Sequence, residues 1–202
     1  MRLYLLSLLL AQALPFMPTT PTPVATQALH AGRLGLDLKS SGITLKEGLP
    51  DYKSQEVDLT SLLAGRRVVV LGVPGAFTPG CSKSHLPSFL SAAAALSELG
   101  VKEVVCTATN DAHVMRAWGE QQGCEGKVRM LADPEGRLVK ALDVEKPDGC
   151  TVRSQRYSMV LDDGVVVRWL PGVGTDGEKQ PENAWAPSVL AALHEMMAEG
   201  ME

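Results

Sequence analysis

The sequence predicts an α/β fold in which a mixed central β-sheet carries helices on both faces. Three observations indicate it: strands and helices alternate as β-α-β-α-β, an Asp-Gly turn then marks a β-hairpin, and an amphipathic helix closes the chain. Alternating strands and helices form parallel sheets, whereas a hairpin adds antiparallel strands. The combination therefore favours a mixed sheet.

The first predicted strand and helix flank a loop rich in proline and glycine. "RVVVLGV" (67–73) is a continuous β-branched run, which is typical of a buried strand. "SKSHLPSFLSAAAALSELG" (82–100) is rich in Ala and Leu and ends at Gly100, as helices commonly do. Because Pro87 removes a backbone donor, we expect this helix to be kinked or to become regular only after its first turn.

A second strand and helix and a third strand follow. "VKEVVCTAT" (101–109) is the second strand, and "DAHVMRAWGEQQG" (111–123) is a helix with Asn110 or Asp111 as its N-cap. "KVRMLAD" (127–133) is the third strand.

The remaining elements complete the predicted order. "PEGRLVKAL" (134–142) is short and at best helical, "RYSMVLDDGVVVRWL" (156–170) is a hairpin turning at Asp-Gly, and "PSVLAALHEMMAEG" (187–200) is an amphipathic helix. A thioredoxin-like arrangement fits this order.

Composition narrows the class of protein. The 202 residues are 45% hydrophobic, which is enough for one globular domain. Nineteen basic and 23 acidic side chains give a net charge of -4. No basic cluster that could bind phosphates is present, so nucleic acid is not an expected partner.

The four cysteines, Cys81, Cys106, Cys124 and Cys150, include no CxxC pair. This argues against a zinc ribbon and a thioredoxin-type dithiol, and four cysteines are too few for a disulfide framework in this chain. A metal site built from Cys81, His85 and Cys106 lacks a recognised ligand spacing, so no metal is expected. The cysteines are therefore either structural thiols, or one of them is a reactive thiol that a second cysteine assists in the reaction.

The first 40 residues differ in composition from the rest. "MRLYLLSLLLAQA" has the parts of a secretory signal, with an apolar run too short to span a bilayer, and the Pro/Thr/Ala-rich stretch after it lacks acidic residues until Asp37. We predict a targeting segment over residues 1–40, removed or disordered, and a folded domain over 41–202, with no membrane contact in the mature form. Import into a plastid through the secretory route is favoured. Secretion, mitochondrial import and a disordered tail are the alternatives.

A cysteine at the start of the first predicted helix has the setting of a reactive thiol. Cys81 faces free backbone N–H groups and the positive end of the helix dipole, which favour thiolate. Gly75 and Gly80 let the backbone approach a small substrate, and Pro74 stiffens the turn. The hydroxyl of Thr78 can bind the same small molecule.

Purely structural roles are the alternative interpretation of these residues. Free cysteines are commonly buried small hydrophobes, and Cys106, in the middle of a strand, fits that reading better. By residue type alone, Arg156 would be a surface charge. His85 lies one helical turn after Cys81, but a neutral packing or capping role is expected for it.

The loop also resembles that of a known family. "PGAFTPGCSKSHLP" is similar to the active-site loop of type II (atypical) peroxiredoxins, whose Pro-x-x-x-Thr-x-x-Cys pattern carries the peroxidatic cysteine. The resemblance continues through "VVCTATNDAHVMRAWG", "GKVRMLADPEG" and "RYSMVLDDGVV", over residues 43 to about 199. It implies a thioredoxin-like peroxiredoxin fold.

Carried over to this chain, the resemblance implies four site residues. Cys81 would be the peroxidatic nucleophile, Thr78 would orient the peroxide, Pro74 would shield the thiolate pocket, and Arg156 would favour the thiolate and stabilise the reacting oxygens. The thiolate would attack hydrogen peroxide or an organic hydroperoxide, releasing water or alcohol and leaving a sulfenic acid.

The resemblance leaves the reducing step open. No prosthetic cofactor is implied, and glutathione with glutaredoxin, or thioredoxin, would supply electrons. Cys106 matches the resolving cysteine of plant-type members, whereas Asn183 stands near the place of the animal-type resolving cysteine, so that route is not expected. Members of the family are monomers, or homodimers that pack through their active-site loops. In this chain the corresponding residues lie within Pro74–Phe77.

Two other functions use the same residues. A redox sensor or holdase would present the same Cys81 with little peroxidase turnover. An acyl-transfer enzyme would need a Cys-His-acid set, and no histidine has an evident acidic partner in a loop. The histidines are His30, His85, His113 and His194.

Overall fold

The structure is a computed structural model that describes residues 32–148, 151–173 and 177–200. Within these ranges the strands are β1 (Thr44–Gly48), β2 (Ser54–Asp58), β3 (Arg67–Gly72), β4 (Glu103–Ala108), β5 (Arg129–Ala132), β6 (Glu145–Asp148), β7 (Thr151–Ser154), β8 (Tyr157–Asp162) and β9 (Val165–Pro171). The α-helices of the same ranges are α1 (Leu59–Leu63), α2 (Leu86–Glu98), α3 (Ala112–Gln122), α4 (Arg137–Ala141) and α5 (Ala186–Ala198). A π-helical turn, Cys81–His85, leads into α2.

Seven strands form one mixed sheet in the order β2-β1-β5-β4-β3-β8-β9. Strands β3, β4 and β5 are parallel to one another. Their neighbours on either side, β1 and β8, are antiparallel to them. Strands β6 and β7 form a separate hairpin. The predicted α/β fold with a mixed central sheet is confirmed.

A hydrophobic core lies on each face of the sheet. Helices α2, α3 and α5 cover one face, where Phe89, Trp118 and Leu193 are fully buried. Helices α1 and α4 cover the other, through residues that include Leu63 and Leu138. Apolar burial on both faces of the central strands explains their continuous β-branched runs.

The strand register brings the candidate site together. Gly72, at the end of β3, pairs with Thr107 of β4 on one side and with Tyr157 of β8 on the other. The loop that follows β3, which leads to Cys81, therefore meets Arg156, the residue that precedes β8.

The elements predicted from the sequence are all present. Helix α2 becomes regular only at Leu86, after the π-helical turn, and Pro87 lies in its first turn, as expected from the missing backbone donor. Asp111 is the N-cap of α3, where its carboxylate accepts from the amides of His113 and Val114. The predicted hairpin turns at Asp163-Gly164, between β8 and β9.

Three features escaped sequence-based prediction: the β1–β2 hairpin, the short helix α1 and the β6–β7 hairpin. Strand β2 lies at the sheet edge, and only Val57 in it is buried. A strand with one buried side chain shows no clear alternation of apolar and polar residues. Pro147 further weakens the pattern of β6.

Residues just ahead of the predicted boundary between residues 40 and 41 contact the sheet. Residues 35–38 pair with β9 through Gly35 N to Val166 O (2.8 Å) and Val166 N to Leu36 O (3.0 Å). The side chain of Leu38 is only 1% exposed. Residues 35–38, which the sequence-based prediction assigned to the targeting segment, therefore pack against the sheet; residues 1–31 lie outside the described ranges.

Candidate active site

The loop after β3 is held by three neighbouring segments. The Val73 amide donates to the Thr107 carbonyl (3.0 Å), and the Ala76 amide donates to Oδ1 of Asn110 (2.9 Å). Nη1 of Arg153, in β7, donates to the Pro74 carbonyl (3.2 Å). These bonds fix the loop relative to β4 and the β6–β7 hairpin.

Close packing explains the residues at the front of this loop. A Cβ at position 75 would overlap Nη1 of Arg153, so any larger residue there would require the end of this arginine side chain to move. Phe77 adopts a positive φ of 61°, which is unfavourable for a bulky residue, and its ring is half exposed. Its centroid lies 6.5 Å from that of the buried Trp118.

The second half of the loop leads into the cysteine. The Thr78 hydroxyl donates to the Gly75 carbonyl (2.9 Å), and the Thr78 carbonyl accepts from the Ser82 amide (2.9 Å). Cys81 is the first residue of the π-helical turn. The hydroxyl proton of Thr78 is thus engaged within the loop, and its oxygen lone pairs are left to accept a hydrogen bond.

Arg156 contacts the cysteine directly. Nη2 donates to Cys81 Sγ over 3.4 Å, although the two residues lie 75 positions apart in the chain. Arg156 Nη1 is buried and has no hydrogen-bond partner within the described ranges. Cys81 has no exposed surface, yet its sulfur faces a cation rather than a purely apolar wall.

A buried network holds the far side of the Cys81 helix. Nε2 of His85 lies 2.8 Å from the Ala184 carbonyl and 3.3 Å from Oγ of Ser158, and Ser158 Oγ itself donates to Ala184 (2.6 Å). Burial, and then the charge of Arg156, lower the pKa of His85 to about 3. The imidazole is therefore neutral, with Nε2 as its donor, and this geometry favours packing over a role as a base.

The other described thiols are buried away from solvent. Cys106 lies in the middle of β4 in the same core as Cys81, and burial raises the pKa of the Cys106 thiol well above its ordinary value, with the nearby Cys124 and Cys81 adding to the shift. Burial also raises the pKa of Cys124 to about 11. Cys81, Cys106 and Cys124 are free thiols. Cys150 lies outside the described residues.

Several residues that shape the site were not predicted from the sequence. Arg153 and Asn110 fix the loop, Trp118 Nε1 donates to Ser82 Oγ (3.0 Å) beside the cysteine, and Gly172 contacts the stem of Arg156. Asn110 had a weak signal, as a possible helix cap. The other contacts join segments far apart in the chain, so no local pattern could reveal them.

An open groove lies at the opposite end of the sheet, away from Cys81. This open groove of about 640 Å³ runs between α3 and the starts of β4 and β5. Its Arg129 already pairs with Glu47 (2.7 Å) and Glu103 (3.1 Å). The charges that line it are largely neutralised by one another.

The described ranges contain no group of three or more His, Cys, Asp or Glu side chains placed to hold a metal ion. No helix among the described residues has the length and apolar character needed to cross a bilayer.

Comparison with known proteins places this geometry in context. The Redoxin family matches residues 22–184. Peroxiredoxin-2E-2, chloroplastic, of Oryza sativa subsp. japonica is 46% identical over 122 residues, or 57% of this chain and 54% of that protein. Peroxiredoxin-2E, chloroplastic, of Arabidopsis thaliana is 44% identical over 142 residues, or 63% of this chain and 61% of that protein. The chain thus matches a little over half the length of these two relatives.

Solved structures agree with the sequence relatives. The reduced Prx3 of Vibrio vulnificus in complex with H₂O₂ superposes with a TM-score of 0.69 at 36% identity, covering 79% of this chain and 98% of that one. Peroxiredoxin 5 of Alvinella pompejana superposes with a TM-score of 0.67 at 28% identity, covering 80% of this chain and 97% of that one.

Proposed function

Because this chain belongs to the Redoxin family and is a type II peroxiredoxin of the thioredoxin-like superfamily, we propose that it is a thiol-dependent peroxidase. It reduces hydrogen peroxide and organic hydroperoxides to water and alcohols through a sulfenic acid at Cys81. The H₂O₂ complex of the 36% identical Vibrio vulnificus protein supports peroxide as the substrate. The hydrogen bond of 3.4 Å from Arg156 to Cys81 Sγ carries the proposal.

Two features of Cys81 favour the thiolate as the reacting species. The guanidinium of Arg156 is a cationic group that donates directly to the sulfur. Cys81 is also the first residue of the helical segment, where the positive end of the helix dipole favours negative charge. Both interactions stabilise negative charge on Sγ more than they stabilise the neutral thiol.

The chemical step forms one bond and breaks another. The thiolate attacks the near oxygen of ROOH in line with the O–O bond, so the S–O bond forms while the O–O bond breaks. The leaving RO⁻ takes a proton and departs as ROH, and Cys81 is left as the sulfenic acid. The sulfur is oxidised by two electrons and the peroxide is reduced by two.

Arg156 and Thr78 supply complementary groups for the peroxide. Arg156 Nη1 is a buried donor without a partner in the described ranges, beside the reacting sulfur. It can donate to the peroxide oxygens, on which negative charge develops. The lone pairs of Thr78 Oγ1 can accept from the peroxide O–H, because that hydroxyl already donates to Gly75. Pro74 shields the pocket at the other end of the loop.

An external thiol completes the cycle. A thiol attacks the sulfenic sulfur, releasing water and forming a mixed disulfide, and a second thiol then displaces Cys81. Glutathione with glutaredoxin, or thioredoxin, is the proposed reductant. Cys106 could resolve the sulfenic acid only after local opening of the fold, because it is fully buried in β4. No prosthetic group takes part in these steps.

A peroxide-sensing relay or holdase is the second candidate. The absence of exposed surface on Cys81 favours it, because a buried sulfur meets peroxide only when the adjoining loop moves. Turnover by such a protein would be slow. The second-order rate constant for peroxide separates the two functions.

We also propose a cellular location for the protein, which the fold does not determine. The two relatives named above are called chloroplastic, and together with the signal-like and transit-like stretches this supports a plastid reached through the secretory route. A mitochondrion and the exterior of the cell are the alternatives. The packed segment from Arg33 onward favours cleavage upstream of that residue. The protein acts as a monomer or a homodimer.

Peroxide consumption by the full chain tests the activity. With each reductant system tried in turn, we expect turnover by the wild type and by Cys124→Ser, whose thiol follows α3 and is not part of the loop after β3, and none by Cys81→Ser. Turnover by Cys81→Ser at a near-normal rate would rule out the proposed nucleophile.

A further inference from the structure

The geometry points to Gly172 as a positioning residue for Arg156: the missing side chain at position 172 leaves the space in which the arginine stem runs toward Cys81. This inference rests on the proposed function of Cys81 and Arg156. It concerns a glycine at the end of β9, distant in sequence from both residues.

Gly172 lies directly against the start of the Arg156 side chain. A Cβ at position 172 would lie 2.9, 3.0 and 3.1 Å from Cβ, Cγ and Cδ of Arg156. Carbon atoms in contact are ordinarily separated by about 3.5–4.0 Å. All three stem carbons would have to shift, and the Cβ of Arg156 is fixed to the backbone, so rotation of the side chain cannot relieve that contact.

The backbone of Gly172 is fixed as well. Its amide donates to the carbonyl of Arg156 (2.8 Å), and its own carbonyl accepts from the amide of Gln180 (3.1 Å). Position 172 therefore cannot move away from the arginine without breaking hydrogen bonds on both sides. A methyl group there would push the stem and displace the guanidinium from Sγ.

Backbone conformation does not explain this glycine. Gly172 is absent from the described residues with positive φ, so an L-amino acid could adopt its backbone angles. Packing against Arg156 is therefore what favours glycine at this position. This separates Gly172 from glycines such as Gly164, whose φ is 86°.

A second glycine borders the other end of the same side chain. A Cβ at Gly80 would lie 3.3 Å from Nη2 of Arg156, the nitrogen that donates to Cys81. That contact involves one terminal atom, which can yield by a few tenths of an ångström. The two glycines thus line Arg156 at its stem and at its tip, and substitution at the stem is expected to have the larger effect.

The test measures the ionisation of Cys81 without peroxide. Thiolate absorbance near 240 nm is titrated for each variant and corrected by the same variant carrying Cys81→Ser. We expect Gly172→Ala to raise the pH midpoint of the Cys81 signal by about one unit, which leaves roughly tenfold less thiolate below the midpoint. Gly80→Ala is expected to shift it in the same direction but less.

Matched variants separate positioning from loss of stability. Gly48→Ala places a Cβ 2.5 Å from the Ala112 carbonyl, far from Cys81, and should lower the thermal midpoint without moving the thiolate midpoint. In an Arg156→Met background, Gly172→Ala should cause no further shift. Should Gly172→Ala fail to fold, Gly80→Ala and its combination with Arg156→Met provide the same comparison at the tip.

The outcomes distinguish this inference from the proposed function. If Arg156→Met moves the thiolate midpoint while Gly172→Ala leaves it at the wild-type value, the positioning role of Gly172 is wrong and the role of Arg156 stands. If neither variant moves it, both roles are overturned. A shift in Gly172→Ala that persists in the Arg156→Met background contradicts action through Arg156.

Discussion

Arg156 Nη2 donates to Cys81 Sγ over 3.4 Å, while Nη1 of the same guanidinium is buried without a partner in the described ranges. One side chain thus contacts the sulfur of the proposed nucleophile and also keeps a buried donor beside it. This pairing depends on the long-range meeting of the loop after β3 with the start of β8.

Replacing the arginine should greatly slow the reaction with peroxide. Arg156→Met removes the charge and both donors, and the loss of a donor aimed at developing negative charge typically lowers rates by about 100–1000-fold. We expect a fall of that size in kcat/KM for hydrogen peroxide, measured by stopped-flow. Arg137→Met, which removes an exposed arginine elsewhere, is the control. A fall of less than threefold in Arg156→Met contradicts the assigned role.

Protonation of His85 should destabilise the fold at acidic pH. Because the pKa of His85 is lowered from 6.5 to about 3, its contribution to stability is complete above pH 6.5 and is lost as the pH falls toward 3. His85→Gln keeps a donor for Ala184 but cannot titrate. Between pH 7 and 4.5, urea unfolding should show a smaller loss of stability in His85→Gln than in the wild type.

The exposed His113 provides the control for that measurement. His113→Gln should lose stability between pH 7 and 4.5 as the wild type does, because its side chain lies on the surface. An equal loss in the wild type and in His85→Gln would mean that His85 is not held neutral in the folded protein.

The segment ahead of residue 40 should contribute measurably to stability. Arg33 donates to the carbonyls of Leu142 and Asp143 (2.6 Å each) and stacks on Trp169, with its guanidinium 5.0 Å from the ring centroid. Removing a charged donor from buried acceptors costs about 2 kcal/mol. We expect Arg33→Ala to lower the free energy of unfolding by that amount in a denaturant titration.

Truncation gives a coarser version of the same test. A chain lacking residues 1–31 should unfold at the wild-type temperature, whereas one lacking residues 1–38 should unfold at a lower temperature. Equal midpoints for the two chains would restore the boundary near residue 40 that the sequence predicts.

Cys106 should be dispensable when glutathione and glutaredoxin supply electrons. Its thiol is buried in β4 and its pKa is raised, so direct reduction at Cys81 is favoured over resolution by Cys106. Turnover of Cys106→Ala is expected to match that of the wild type with this reductant. A strong decrease with glutaredoxin, or one confined to thioredoxin, would show that Cys106 acts as a resolving thiol.

The sequence predicted the parts of the fold that local patterns determine. The β-branched run of β3, the loop with Cys81 and the Asp-Gly turn after β8 each lie within a short window, and each is found where expected. Strand β2 was missed because a single buried residue in an edge strand leaves no periodic signal. No local pattern shows that residues 35–38 pair with β9, so the sequence placed them in the targeting segment, although acidic residues resume at Asp37.

The site shows the same division between local and long-range information. The loop composition indicated a reactive Cys81, but by residue type Arg156 was a surface charge, and only the family resemblance pointed to its role. The register of β3 with β8 accounts for its position beside the sulfur. No sequence pattern marks Gly172, since its proposed role depends on the path of the Arg156 side chain, which starts just before β8.

The second-order rate constant for reaction of the reduced full chain with hydrogen peroxide tests the central claim most directly. An ionised Cys81 with Arg156 and Thr78 aimed at the peroxide should react at least about a thousandfold faster than a free thiol at neutral pH. A rate equal to that of a free thiol would contradict peroxidase function and favour the sensor.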